Sequence, residues 1–356
     1  DHPWASEHPE YFIQGSNEDV ARDPPSFVAH AGKVFACGRD PFFPAWSDVL
    51  QLNAFNTGLR AAVTDTLTEI AAQCDGVRCD MAMLLLNNIF ARTWGARAGA
   101  SPDTDYWPYI IPAVKRTHPD FRFIAEAYWD LEWELQQQGF DFCYDKKLYD
   151  RMEHGDAENV RQHLLADAAY QQGMVRFIEN HDEPRAAATF PSAKGRAAAV
   201  AMLTLTGAKL LHEGQFEGRK VRLPVFLGRR PAEPVDQDLA AFYRRLLNAV
   251  NREVFRNGEW RLCERSGWPD NQSCLNILAW CRVKDDERYL IIVNFRQETA
   301  QARVQVPWDV LRGKQWRLSD VLSGQTYDRS GDEMRDAGLY VDLGPWQCHL
   351  FQVRAV

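Results

Sequence analysis

Residues 59–80 read LRAAVTDTLTEIAAQCDGVRCD. Leu59, Val63, Leu67 and Ile70 recur at helical spacing, Asp75-Gly76 breaks the helix, and Val77-Arg78-Cys79-Asp80 begins an extended run. This is one helix-to-strand step, and it repeats downstream. Helical patterns lie near 105–116, 157–169, 195–205 and 237–250, alternating with short strand-like runs at 121–126, 140–144, 174–179 and 208–212. Such alternation predicts a parallel sheet covered by helices.

Upstream, residues 1–57 are rich in Pro, aromatics and Asp without sustained helical periodicity, and read as loop-rich with a short hairpin around Lys33–Cys37. Downstream of Asn257 the texture turns to β-rich runs at Leu275–Val283, Arg288–Phe295, Ala302–Val306 and Gly338–Leu343, separated by Gly, Asp and Pro turns. The expected division is a loop-rich inserted subdomain (1–57), a barrel portion (58–257) and an all-β domain (258–356). Only about five core strands can be counted before residue 257, whereas a closed (β/α)8 barrel needs eight. The fold class expected is therefore α/β, a (β/α)8 TIM-type barrel lacking its first strands, followed by an antiparallel β-sandwich. An open parallel sheet leaves an unpaired edge in water, so an N-terminal portion is expected to precede this sequence.

Composition narrows the function classes. A hydrophobic share of 46% and a charged share of 25% are those of an ordinary globular chain. The net charge of −8 comes with scattered Lys and Arg and no basic stripe, which argues against nucleic acid as partner. Apolar runs such as Met81–Leu86 and Tyr289–Val293 are too short to cross a bilayer. The eight cysteines form no C-x-x-C arrangement and read as buried free thiols, so the expected location is the cytoplasm. The sequon at Asn271 reads as accidental.

Three strand ends carry the candidate chemistry. In Val77-Arg78-Cys79-Asp80 side chains alternate, so Arg78 and Asp80 share a face, and at the mouth of a barrel an Arg keeps a carboxylate ionised. A structural salt bridge would use the same two residue types. Phe121-Arg122-Phe123-Ile124-Ala125-Glu126 is an apolar strand stopping on a carboxylate beside Tyr128 and Trp129, where poor solvation raises the pKa and suits a general acid. Met174-Val175-Arg176-Phe177-Ile178-Glu179-Asn180-His181-Asp182 ends in a polar cluster able to bind sugar hydroxyls, or to cap the following Ala-rich helix. Three successive units each delivering a carboxylate at one end of a sheet point to glycoside cleavage, which needs a nucleophile and an acid.

These motifs, in this order, resemble those of the α-amylase family, glycoside hydrolase family thirteen. Gly76–Asp80 is similar to the family's nucleophile strand, Phe123–Glu126 to its acid/base strand, and Phe177–Asp182 to its transition-state-stabiliser strand. The resemblance implies a retaining glycoside hydrolase acting on α-glucans or maltooligosaccharides. Asp80 would be the nucleophile, Glu126 the acid/base and Asp182 the stabiliser, with Arg78, His181, Tyr128 and Trp129 as substrate-binding residues. Gln51-Leu52-Asn53 and Gly207 through Gly214-Gln215 match further family elements, and the tail Trp346–Phe351 matches its C-terminal β domain. The family's first motif, an Asp followed by Asn-His, is absent. Its Asn often helps hold a structural Ca²⁺, so the resemblance leaves a structural calcium open but not assignable to residues here; separately, it implies no cofactor for the chemistry itself. Where many starch-degrading members carry Lys-His after the nucleophile, this chain has Met83-Leu84, which leaves room for short substrates or for transglycosylation. A non-catalytic carbohydrate-binding homologue is the alternative from another class.

The remaining candidates read as structural. His2, Glu7 and His8 lack metal-ligand spacing. Trp4, Tyr11, Trp46 and Trp107, in a chain with 12 Trp, read as core. No glycine-rich nucleotide loop accompanies the strands.

Overall fold

The computed structural model describes residues 2–224 and 228–356, so Asp1 lies outside it. The chain divides into two compact units, one ending at Tyr144 and the other beginning at Asp145.

In the first unit, β1 (Phe27–His30), β2 (Lys33–Gly38) and β3 (Trp46–Leu50) form an antiparallel sheet in that order. The expected hairpin is β1–β2. Its two-residue turn, Ala31-Gly32, has φ of 49° and 73°, the positive-φ pair that matches the twist of a tight hairpin. The reading of 1–57 left out β3, which has no alternation to signal it: its three central residues are all exposed. Phe12 and Phe35 are buried together, with Trp4, Tyr11, Leu50 and Leu52 packed around them.

The helix Thr57–Ala71 starts where Asn56 accepts the Leu59 amide at 2.9 Å, a side-chain N-cap. Then β4 (Gly76–Cys79), β5 (Arg122–Ala125) and β6 (Phe142–Tyr144) run parallel, with Gly76 opposite Arg122 and Ile124 opposite Phe142. A Cβ on Gly76 would meet the Arg122 carbonyl oxygen at 2.5 Å, so glycine is what lets the strands close at this point. The helix Tyr106–Lys115 packs on the helix Thr57–Ala71, with Ile110, Ile111 and Val114 buried.

In the second unit, β7 (Met174–Arg176) and β8 (Ala208–Lys209) pair in parallel. Fully buried Arg176 is ion-paired with Asp145, and His163 Nε2 lies 3.0 Å from the same carboxylate. The helices Ser192–Thr204 and Gln237–Val250 coincide closely with the expected ones, and the expected helix at 157–169 is split into Ala157–Leu164 and Ala168–Gln172.

The same unit continues into nine strands: β9 (Glu259–Leu262), β10 (Arg265–Ser266), β11 (Ile277–Lys284), β12 (Glu287–Asn294), β13 (Ala300–Val304), β14 (Gln315–Asp320), β15 (Thr326–Ser330), β16 (Leu339–Leu343) and β17 (Cys348–Ala355). They make two antiparallel sheets, ordered β15-β14-β17-β12-β11-β9 and β10-β13-β16. Alternate residues Ile277, Ala279 and Cys281, with Leu290 and Ile292, pack against Ala300, Ala302 and Val304 and against Leu339, Val341 and Leu343. Each such Ile, Leu or Val contributes roughly 1.5–3 kcal/mol when fully buried. Trp280 and Arg282 anchor this sandwich: the indole donates to Thr204 Oγ1 at 3.1 Å and the guanidinium to the Thr204 carbonyl at 3.1 Å. Among the described residues no helix is long and apolar enough to cross a membrane.

Candidate active site

The first cluster is built where β4 and β5 end. After Asp80 the chain turns through Met81, whose φ of 44° is a left-handed conformation costing a β-carbon residue roughly 1–2 kcal/mol. That turn aims the Met81 amide at Glu126 Oε2, 2.7 Å away. The backbone repeats the tie: Glu126 N–H donates to the Cys79 carbonyl at 3.0 Å and Ala82 N–H to the Glu126 carbonyl at 3.1 Å. The strain is thus offset by a fixed register between residues 79–82 and 126.

One guanidinium joins the two carboxylates. Arg78 Nη1 pairs with Asp80 Oδ1, while Arg78 Nη2 lies 3.0 Å from Glu126 Oε2. Arg78 also sits over the Tyr144 ring, 5.7 Å from its centre, and Tyr128 donates its hydroxyl to Glu126 Oε1 at 3.0 Å. The carboxylates differ in exposure: Glu126 is buried, whereas the Asp80 side chain is 76% exposed. Burial pushes the Glu126 carboxyl above its usual range; the Met81 amide, Arg78 and Tyr128 oppose that shift and Asp80 adds to it. A buried carboxyl with a raised pKa beside an accessible carboxylate is what this geometry supplies.

Trp129 and Asp130 follow with φ of 64° and 61°, and the exposed Trp129 ring meets Phe42 edge to face at 5.1 Å. The apolar Met83 is fully buried, so it is core, and Trp107, also buried, donates its indole N–H to the Ala82 carbonyl at 2.9 Å.

The second cluster follows β7, within the other unit. The strand ends at Arg176, and Phe177, Ile178, Glu179 and Asn180 remain buried beyond it. Asn180 Oδ1 accepts the amides of Asp182 and Glu183, both at 2.8 Å, forming a tight turn. The turn presents His181 and Asp182, paired at 3.0 Å with side chains 41% and 39% exposed. Sequence reasoning assigned no role to three residues that hold this turn: Glu179, Arg185 and His212. Glu179 Oε2 accepts the Ala186 amide at 2.6 Å, and Oε1 lies 2.9 Å from Arg185 Nη2 and 3.4 Å from His212 Nδ1. Burial pushes the Glu179 carboxyl up to about 7, against the Ala186 amide and Arg185, with Glu213 adding to the rise. A second carboxyl in one strand-end motif was the available signal, but nothing local says which of Glu179 and Asp182 faces outward.

The structure therefore gathers Arg78, Asp80, Glu126 and Tyr128 in one cluster, sets Trp129 against Phe42, and pairs His181 with Asp182. All eight cysteines are free thiols. His8 is paired with Glu10 at 3.1 Å and stacked on Tyr11. Among the described residues no group of three or more His, Cys, Asp or Glu side chains is arranged to hold a metal ion.

No family model matches the chain. A curated relative, the α-amylase MalA of Haloarcula japonica, is 24% identical over 313 residues, covering 83% of this chain and 41% of the relative. The chain thus spans about two-fifths of the length of that relative. Among solved structures, the maltogenic α-amylase AmyB of Thermotoga neapolitana superimposes with a TM-score of 0.67 at 19% identity, covering 96% of this chain and 75% of that one. An α-amylase from Lactobacillus plantarum gives 0.66 at 18% identity, covering 99% and 75%. At these identities the structural likeness speaks for the fold.

Proposed function

We propose that this chain belongs to the α-amylase family and acts as a retaining glycoside hydrolase on α-glucans or maltooligosaccharides, a reading supported by its likeness to α-amylases. The observation that carries the reading is the single Arg78 guanidinium bridging Asp80 and Glu126. One guanidinium reaches two carboxylates when they lie a few ångströms apart, the regime of about 5–5.5 Å in which retaining glycosidases hold their pair.

In this reading the Asp80 carboxylate attacks the anomeric carbon as the bond to the leaving sugar oxygen breaks. Glu126 gives that oxygen its proton. Water then attacks the glycosyl-enzyme ester, Glu126 takes the proton back, and Asp80 is released. The elevated Glu126 carboxyl suits the acid step, and the Met81 amide and Arg78 stabilise the carboxylate that the step leaves. Asp182 is proposed as the carboxylate that stabilises positive charge on the sugar ring, with Arg78, His181, Tyr128 and Trp129 binding substrate. The chemistry requires no cofactor.

The finer architecture belongs to the same proposal: the parallel strands are part of a (β/α)8 barrel, residues 1–57 are an inserted subdomain, 58–257 are barrel and 258–356 are the C-terminal β domain. Free thiols throughout suit a reducing compartment, and the cytoplasm is the proposed location.

Incubation with maltohexaose, followed by reducing-end assay, product sizing and anomer-resolved NMR, tests the activity. The reading expects net growth of reducing ends with the α-anomer formed first. Chain-length redistribution without that growth moves the assignment to a transglycosylase, binding without turnover to a non-catalytic carbohydrate-binding homologue, and first-formed β-anomer contradicts retention.

A further inference from the structure

We propose that His212 is a further substrate-contacting residue: its imidazole, held with the proton on Nε2, donates a hydrogen bond to a hydroxyl of the sugar bound at His181 and Asp182. The inference rests on the α-glucan reading and concerns a side chain outside its catalytic set.

The backbone at His212 is fixed first. Beyond β8, Leu210 N–H still donates to the Arg176 carbonyl at 2.9 Å, so the chain stays extended toward His212. Gln215 then closes a turn: its Oε1 accepts the His212 amide at 3.3 Å, its own amide donates to the His212 carbonyl at 3.1 Å, and its Nε2 donates to the Tyr243 hydroxyl at 3.0 Å. Gln215 is itself buried, which makes the turn a rigid mount.

The ring is fixed next, and its tautomer with it. Arg185 Nη1 lies 3.0 Å from His212 Nδ1. A guanidinium has donors and no acceptor, so Nδ1 must accept, and a neutral imidazole then carries its proton on Nε2. Arg185 cannot swing away: its Nη2 donates to the Glu213 carbonyl at 2.7 Å and faces Glu179 Oε1 at 2.9 Å, with both charged side chains almost fully buried. Imidazolium formation would set an Nδ1 proton against an Arg185 proton. Burial, then Arg185 and His181, accordingly hold the His212 pKa below the usual histidine value, with Glu213 pulling the other way. The charged and titratable groups facing the ring are thus Arg185, His181, Glu213 and Glu179.

What remains is an oriented donor. His212 Nε2 makes no hydrogen bond among the described residues, and the side chain keeps 29% of its surface exposed at the same end of the parallel β7–β8 pair that carries His181 and Asp182. A neutral N–H donor suits the lone pairs of a sugar hydroxyl and, unlike a cation, adds no positive charge next to a developing oxocarbenium centre. Glu179 and Arg185 act through His212 and are positioning residues.

Two measurements test the role. Ring-nitrogen NMR of the ¹⁵N-histidine-labelled chain near neutral pH is expected to show a bare Nδ1 and a protonated Nε2 at His212, and Arg185→Met is expected to mix the tautomers. With maltohexaose, His212→Phe is expected to raise KM about tenfold with a smaller change in kcat, and His212→Gln, which keeps an N–H donor, to recover most of that loss. A proton resident on Nδ1, or an unchanged KM in His212→Phe, overturns the proposal and leaves the α-glucan reading standing. A wild-type chain that neither binds nor cleaves maltohexaose overturns that reading and this role with it.

Discussion

Two glutamates at strand ends are built alike and stand in different surroundings. Glu126 follows β5 and Glu179 follows β7; both are buried, both face an arginine at about hydrogen-bond distance, and both accept a backbone amide, Glu126 from Met81 in the turn after Asp80 and Glu179 from Ala186. The difference lies in what the arginine does next. Arg78 carries on to Asp80, an exposed carboxylate, so the Glu126 cluster ends in solvent. Arg185 carries on to the Glu213 carbonyl and to His212, so the Glu179 cluster reaches solvent only through a partly exposed imidazole and not through a second carboxylate. Burial raises both carboxyls, and a raised pKa alone does not distinguish an acid that meets substrate from one that braces a loop.

The largest expected effect comes from removing the first acid. Glu126→Gln should cost about 10²–10⁴-fold in kcat on maltohexaose, the usual range for a general acid, with an unchanged or slightly raised melting temperature because a poorly solvated carboxyl is gone. Asp80→Ala should cost at least as much. An active Glu126→Gln enzyme would erase the contrast with Glu179.

Glu179→Gln should instead show itself in stability. A carboxyl raised to about 7 in the folded chain keeps a proton that the unfolded chain releases above its ordinary 4.5. Wild-type stability therefore loses this group's contribution as pH climbs from about 4.5 to 7, by an amount on the order of 2–3 kcal/mol. Denaturant melts at several pH values should show the variant's deficit shrinking across that window, with kcat reduced by about tenfold or less. A deficit independent of pH would mean that Glu179 is ionised throughout.

Tyr128→Phe gives the smallest and sharpest test. Losing a hydroxyl that donates to Glu126 Oε1 removes support for the ionised form, so the Glu126 pKa should rise further. The basic limb of the pH–rate profile should move upward by roughly half to one unit, about the worth of one hydrogen bond. A downward shift would show that the hydroxyl does not stabilise the carboxylate.

Much of this was legible where a local period governs. The alternation in 77–80 and 121–126 put Arg78 with Asp80, and Glu126 at a strand end, and the structure keeps both relations. The 174–179 run misled because β7 stops at Arg176; beyond it the two-residue period lapses, and Phe177, Ile178, Glu179 and Asn180 are all buried. Which polar residue emerges was decided by the Asn180 turn and by Arg185, contacts no spacing rule encodes. His212 was overlooked for the same reason: its role depends on a guanidinium 27 residues away in sequence. The strand β3 was missed because exposed residues carry no periodic signal, whereas β11 and β12, apolar runs buried over most of their length, stood out.

The most direct test of the central claim is to trap the ester. A slow fluorinated α-glucosyl fluoride given to the Glu126→Gln chain, followed by proteolysis and mass spectrometry, should leave one glucosyl label on the peptide carrying Asp80. A label on the peptide carrying Glu179 or Asp182, or no covalent label under conditions where the reagent is consumed, would contradict the assignment of Asp80 and Glu126 as the reacting pair.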